Sequence, residues 1–469
     1  MLNNFFLEQV KKNFQFDPTH EQYDVLEKWS DFLFDRNTDS LFLLKGYAGT
    51  GKSSLIGAVV KTLNEMKQKS VLLAPTGRAA KVFSAYSGQN AYTIHKKIYR
   101  QKEFSNDPTG FVLADNLHKH TLFIVDEASM ISNDGLDSSY FGSGRLLDDL
   151  IHYVYSGEGC RLVLLGDSAQ LPPVSQPESP ALNLSVLQGY GLIVHSMILT
   201  EVVRQEKTSG ILTNATLLRK KMDTGNMSVF PKLITQSGTD VQIVNGEDIL
   251  ENIQDAYHRD GLEETIVITR SNKRANGFNN TIRNRILFRE EELTSGDLLM
   301  VVKNNYHWAN EEESMEFIAN GDLMEILRIR RIQELYGFRF CDVTVRFPDY
   351  GAEIDMKILL DTLHTDSPAL PKELNDKLFY AILEDYADIS AKREKMKLMK
   401  VNPYYNVVQV KYAYAVTCHK AQGGQWKNVF IDLSYIPQEH LGIEFYRWLY
   451  TAFTRATERV FLINPQKGF

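Results

Sequence analysis

The sequence predicts an α/β fold with two parallel-sheet domains, and three observations carry that prediction. Short, wholly apolar runs at 41–44, 71–74, 122–125 and 162–165 alternate with helix-length stretches through the first two hundred residues. Such runs suit strands buried on both faces of a parallel sheet. A second set, at 266–269, 429–432 and 460–463, implies a second sheet. Within the second set, between 266–269 and 429–432, the texture changes: 296–360 alternates apolar with polar in the β manner, as in the run 338–345, so the second domain is interrupted by an insertion.

The elements follow in order. The strand at 41–44 leads into Gly46-Tyr47-Ala48-Gly49-Thr50-Gly51-Lys52-Ser53, which fits G-x-x-x-x-G-K-[ST], and a helix is expected from Ser54 to about Met66. This strand–loop–helix context is what a phosphate-binding loop requires. Glycines let backbone N–H groups wrap the phosphates, and the helix N-terminus favours negative charge. A chance match in a chain this long is roughly one in fifty. Lys52 is expected at the β/γ-phosphates of ATP and Ser53 on Mg²⁺, with Gly46, Gly49, Thr50, Gly51 and Ser54 completing the nucleotide contacts. Asp126-Glu127 ends the strand at 122–125. One carboxylate can hold Mg²⁺ while the next orients an attacking water. Alone, such a pair reads as a helix cap; beside a P-loop it reads as catalytic. After Pro368 and Pro371, one helix is expected over about 372–400, its end crowded with Lys and Arg; this charge run reads as a solvated face. Strand character returns at 407–410.

Bulk composition sets limits. No run approaches the ~18 apolar residues of a membrane span, and the N-terminus shows no secretory pattern. Cys160, Cys341 and Cys418 lie far apart, as expected of a protein in a reducing cytoplasm without a disulfide framework. The net charge of −7 argues against a polyanionic partner, although a local basic groove suffices to hold phosphates.

Beyond the P-loop, an ordered set of motifs resembles superfamily 1 DNA helicases of the RecD/Dda branch. Val125-Asp126-Glu127-Ala128-Ser129-Met130 resembles the DEXX box, and Gly166-Asp167-Ser168-Ala169-Gln170-Leu171-Pro172-Pro173-Val174 the long G-D-x-x-Q-L-P-P-V motif. Leu199-Thr200-Glu201-Val202-Val203-Arg204-Gln205, Thr417-Cys418-His419-Lys420-Ala421-Gln422-Gly423 and Tyr450-Thr451-Ala452-Phe453-Thr454-Arg455-Ala456 resemble the segments that follow, in family order. The resemblance implies that Gln22 reads adenine, that Gln170 senses the γ-phosphate, and that Arg204 and Arg455 stabilise charge in phosphoryl transfer from two sides of a cleft. It also implies a strand track of Thr76, Arg78, Thr93, His95, Thr417 and His419, contacts that follow the backbone and carry little base information. His95 and His419 have no Cys or acidic partner at metal-ligand spacing.

The resemblance further implies two RecA-like motor domains: 1–205, and 206–295 with 406–469. A wedge, or pin, is expected at about 96–120 in the first, and an SH3-like β-barrel with a helical subdomain at 296–405 in the second. The wedge has its own signal. About 25 residues separate His95 from the strand at Leu122, and Asn106-Asp107-Pro108-Thr109-Gly110 is a turn flanked by Phe104 and Phe111. Either ring could stack on a terminal base pair. The expected activity is ATP-driven travel from 5′ to 3′ on single-stranded DNA, with unwinding of forked duplex and no membrane partner; single-strand-binding or recombination proteins are the candidate protein partners. Three alternatives stay open: a strand-stimulated ATPase that does not unwind, the motor subunit of a larger recombination complex, and an unrelated P-loop phosphotransferase.

Overall fold

The computed structural model describes residues 2–14, 16–101, 111–135, 142–203, 209–225, 227–235, 240–305, 307–308 and 318–469. The chain opens with two helices, α1 (Leu2–Asn13) and α2 (His20–Phe34). The strands β1 (Ser40–Gly46), β2 (Ser70–Ala74), β3 (Ala91–Thr93), β4 (Tyr99–Gln101), β5 (Phe111–Leu113), β6 (Leu122–Val125), β7 (Arg161–Gly166) and β8 (Ile193–Leu199) follow. Six of them form a parallel sheet in the order β3-β2-β6-β7-β1-β8. The apolar run in β1 is buried on both faces as its composition demands. Phe42 and Leu44 join a core with Trp29 and Phe32 of α2, whereas Leu41 and Leu43 join a separate core with Ile94, Leu147 and Leu150. The helix after β1 is α3 (Lys52–Glu65) and the one after β2 is α4 (Gly77–Ser87).

The second sheet contains β9 (Val241–Val244) and β10 (Thr265–Thr269), and is completed after an excursion of the chain. That excursion is a closed barrel of β11 (Leu298–Val301), β12 (Leu323–Leu335), β13 (Phe338–Phe347), β14 (Ala352–Leu359) and β15 (Val408–Tyr412). The sheet then gains β16 (Ala415–Thr417), β17 (Trp426–Asp432) and β18 (Ala456–Ile463), in the parallel order β16-β10-β17-β18-β9.

Two expectations need correction. The boundary at 405/406 assigns β15 to the second motor domain, but β15 pairs with β11 and β14 and closes the barrel. Closure satisfies two edges at once, a demand that adjacent sequence does not display. The single helix expected over 372–400 is two helices, Lys372–Glu384 and Lys392–Val401. Leu378 and Ile382 of one and Met399 of the other enter the same core with Phe338, Phe340 and Val407, so the chain must fold back.

The barrel is rooted by a buried ionic cluster. Asp297, fully buried, accepts from Arg283 (3.0 Å) and Arg289 (2.7 Å) and from the Tyr414 hydroxyl (2.9 Å). A buried charge satisfied this thoroughly fixes one geometry even where its net stabilisation is small.

Candidate functional site

The P-loop wraps the C-terminal end of β1, where open α/β sheets place ligands. Gly49 and Gly51 take the left-handed conformation (φ 76° and 73°), which glycine adopts without strain. Lys52 opens α3, and its ammonium lies 3.9 Å from Asp126. Glu127 is itself left-handed at φ 51°, unusual for a side chain of this size. Asp126 accepts from the Glu127 N–H (2.8 Å) and from the Tyr86 hydroxyl (2.6 Å). Both carboxylates, Lys52, Gln170 and Arg455 line one cleft of about 820 Å³ with Gly46, Gly49, Gly51, Ser53 and Ser54.

Electrostatics in this cleft is uneven. Burial raises the Glu127 carboxyl above its ordinary range, opposed by Arg455 and Lys52 and reinforced by Asp126. Burial also raises Asp167, opposed by Lys52 and by the Tyr450 hydroxyl. Among the described residues, Glu127 Oε2 and Gln170 Oε1 are buried without a hydrogen-bond partner. Such orphaned acceptors in a polar cleft call for a ligand or water. The donor set therefore fits a nucleotide phosphate with a hard cation, which needs only one or two protein oxygens besides phosphates.

The second domain closes the cleft. Arg455, 4 % exposed, places its guanidinium 3.7 Å from Glu127 and is held by the Thr451 carbonyl (3.2 Å) and the Gly424 carbonyl (3.3 Å). Tyr450 donates to Asp167 (2.6 Å) and accepts from the P-loop N–H of Ala48 (2.9 Å). Thr451 accepts from the Leu171 N–H (2.9 Å), and Gln422 donates to the Leu171 carbonyl (2.8 Å). Sequence reasoning gave Tyr86, Asp167 and Tyr450 no role; the last two sat inside quoted motifs, which was their only signal.

Not every expected residue arrives in the cleft. Arg204 lies outside the described residues. Gln22 and Thr50 do not line the cleft. The Gln22 amide is committed to the Thr50 carbonyl (2.9 Å) and, through a capping box, to the Thr19 N–H (2.9 Å). In this arrangement Gln22 buttresses the P-loop from behind.

A second concavity, a groove of about 1090 Å³, brings together Thr76, Thr93, His95 and Phe111 of the first domain and faces the barrel. Thr76 and Thr93 cap their helices by accepting from Ala79 (3.2 Å) and Lys96 (3.2 Å). Each hydroxyl thus keeps its proton for another acceptor. Burial holds His95 down to about 4, so it is a neutral imidazole at physiological pH. Thr417 and His419 do not line the groove; the neighbouring Lys420 bonds Asn320, which does. Arg78 departs from expectation. Its guanidinium donates to the Gln425 carbonyl (2.9 Å) and lies 4.0 Å over the Trp426 ring, so it joins the two domains. Phe104 and the turn 106–110 lie outside the described residues. The arms β4 and β5 pair antiparallel, with Gln101 opposite Phe111. Phe111 stands at the loop-proximal end of those arms, opposite the Tyr99–Leu113 end from which they leave the domain; it is partly buried against the first domain's core and also lines the groove.

A P-loop on one parallel sheet, completed by an arginine and a tyrosine from a second α/β domain, defines a two-domain nucleotide-hydrolysing motor. Comparison with known families agrees. Residues 31–228 match the AAA domain family and residues 412–463 the UvrD-like helicase C-terminal domain. Protein R530 of Acanthamoeba polyphaga mimivirus is 22 % identical, over 94 % of this chain and 98 % of that one. The ATP-dependent DNA helicase dda of Enterobacteria phage T4 is 24 % identical, over 90 % and 93 %. The solved Pif1 helicase from Bacteroides with ADP-AlF3 and ssDNA is 16 % identical, over 96 % and 93 %, with a TM-score of 0.48. The chain is a superfamily 1 helicase of the RecD/Dda type. Among the described residues, no helix is long and apolar enough to cross a membrane.

Proposed function

We propose that this chain is an ATP-driven DNA helicase that moves 5′ to 3′ on a single strand and separates the duplex ahead of it, in replication, repair or recombination. One observation carries the proposal: Arg455 of the second domain stands 3.7 Å from Glu127 of the first, so the cleft is complete only when the domains meet. Hydrolysis is thereby tied to domain position, which is what a motor needs. The name of the phage relative, a DNA helicase, supports DNA as the polymer.

Lys52 and the loop amides bind the phosphates, and Ser53 and Asp126 would hold Mg²⁺. When bound, that ion neutralises phosphate charge and fixes phosphate geometry. Glu127 takes the proton of the attacking water, a task suited to a carboxylate raised by burial. Gln170 reads the γ-phosphate end of the cleft, and Arg455, joined by Arg204, stabilises charge as the bond breaks. Thr76, Thr93 and His95 hold the strand's phosphates as neutral donors, which suits a track that must release at every step. Thr417 and His419 lie off the groove's lining and would meet the strand beyond it, from the second domain.

The test is unwinding of forked duplexes bearing only a 5′ or only a 3′ tail. ATP-dependent separation of the 5′-tailed fork alone is expected. Strand-stimulated ATPase without unwinding of either fork would establish the non-unwinding switch instead, and unwinding from the 3′ tail would overturn the polarity.

A further inference from the structure

The groove that holds Thr76, Thr93 and His95 has a far wall built from the barrel and the two helices inserted before β15. That wall bears none of the residues assigned above. The first inserted helix, Lys372–Glu384, presents Asn375, Asp376, Phe379 and Tyr380 to the groove, a stripe at the spacing of one helix face. Tyr380 is 63 % exposed. Among the described residues its ring contact is edge-on with Phe379, at 5.3 Å between centroids, which leaves the ring face exposed. The helix beneath does not yield. Leu378 and Ile382 are buried in the barrel's satellite core, and Asn375 is tied to Gln409 (3.1 Å). An exposed aromatic on a rigid helix is a preorganised surface, and ordering it on binding costs little entropy.

The groove's chemistry selects the occupant. Among the described residues its lining includes Lys303, Lys400 and Asp376, in a chain whose net charge is −7. The near wall is aromatic too, with His95 and Tyr99 at 5.7 Å. A slot with rings on both sides and hydroxyl and imidazole donors along one edge matches a single strand of nucleic acid.

We propose that the two-helix insertion is the outer wall of the strand track and that Tyr380 is a base-stacking platform. The inference rests on reading the chain as a single-strand motor, and deepens it by assigning a base-contacting residue. The contact is indifferent to sequence, because every base has a π-face.

The test measures binding of a fluorescein-labelled oligo-dT and of an abasic oligomer of equal length, by anisotropy at several salt concentrations. Tyr380→Ala is expected to weaken oligo-dT binding by about 5- to 150-fold, the range set by stacking energies. The salt slope should not change, since no phosphate contact is lost. Tyr380→Phe should bind like wild type, and all three proteins should bind the abasic oligomer equally. Their thermal midpoints should coincide, because the ring lies outside the core. Wild-type affinity of Tyr380→Ala for oligo-dT would overturn the stacking role while leaving the motor intact. Equal losses on both oligomers would also overturn it, in favour of a phosphate contact. A wild-type protein that binds neither oligomer would overturn this inference and the motor reading together.

Discussion

Tyr450→Phe removes one oxygen from the seam between the two motor domains and leaves the ring in the buried core. The lost hydroxyl donates to Asp167 at 2.6 Å and accepts from the Ala48 N–H at 2.9 Å, and the residue is only 1 % exposed. A hydrogen bond to a carboxylate contributes about 1.5–3 kcal/mol and a neutral one about 0.5–1.5. Both bonds exist only when the domains are apposed, so the variant should raise that state by about 2–4 kcal/mol relative to separated domains. At about 1.4 kcal/mol per factor of ten, the hydrolysis-competent population falls at least ~30-fold. Nucleotide binding should change far less, because Lys52 and the glycines belong wholly to the first domain. The assay is steady-state ATPase at saturating single strand, beside titration of a fluorescent nucleotide. A kcat within twofold of wild type would refute the argument that this hydroxyl couples domain apposition to hydrolysis. So would a loss of nucleotide affinity as large as the loss of kcat, which would mean that Tyr450 merely shapes the P-loop.

Three further outcomes are expected. Glu127→Gln should bind ATP and turn over at least ~10²-fold more slowly; in wild type, kcat should fall with acid through a limb above 4.5, because burial raises this carboxyl and the base must be ionised, and a rate flat across that range would reject the assignment. Asp322, 1 % exposed and raised by burial from 3.8 to about 7, holds its proton in the folded chain over a range where the unfolded chain has lost it, so its contribution to stability declines as pH rises from about 4 to about 7. Asp322→Asn should flatten the thermal midpoint across that window, and an unchanged slope would show that Asp322 is ionised throughout. Phe111→Ala should lower ATPase, unwinding and thermal midpoint together, by about 1–3 kcal/mol for a partly buried ring, whereas Phe104→Ala should reduce unwinding alone if that ring meets the duplex.

Much of the architecture was legible because it is local. Four-residue apolar runs such as 41–44 and 122–125 have no place except in a sheet buried on both faces, and the P-loop declares itself within eight residues. Edge strands were less visible. In β8, Ile193 and Ile198 are exposed at 51 % and 44 %, so the buried-strand signature is broken there. Contacts spanning hundreds of residues left no local trace. Nothing near Arg78 announces Trp426, and nothing near Ala48 announces Tyr450. The break between the two inserted helices was hidden for a related reason. The segment 385–391 has neither proline nor glycine, and the turn is dictated by the barrel core that both helices must reach.

The barrel has one further property. The chain enters and leaves it from the second motor domain, yet it also leans on the first. Asp349 meets Lys81 of α4 at 2.8 Å, and a methyl on Gly77 would collide with the Tyr350 hydroxyl. A beam resting on two supports registers any shift of one against the other. When the nucleotide cleft widens, this second bearing must slide or lift, while the ionic root at Asp297 stays put. Lys81 is half in solvent whereas Asp349 is largely buried, so the contact closes over the carboxylate from one side. The bearing therefore gives the barrel a second point at which the separation of the two motor domains is registered.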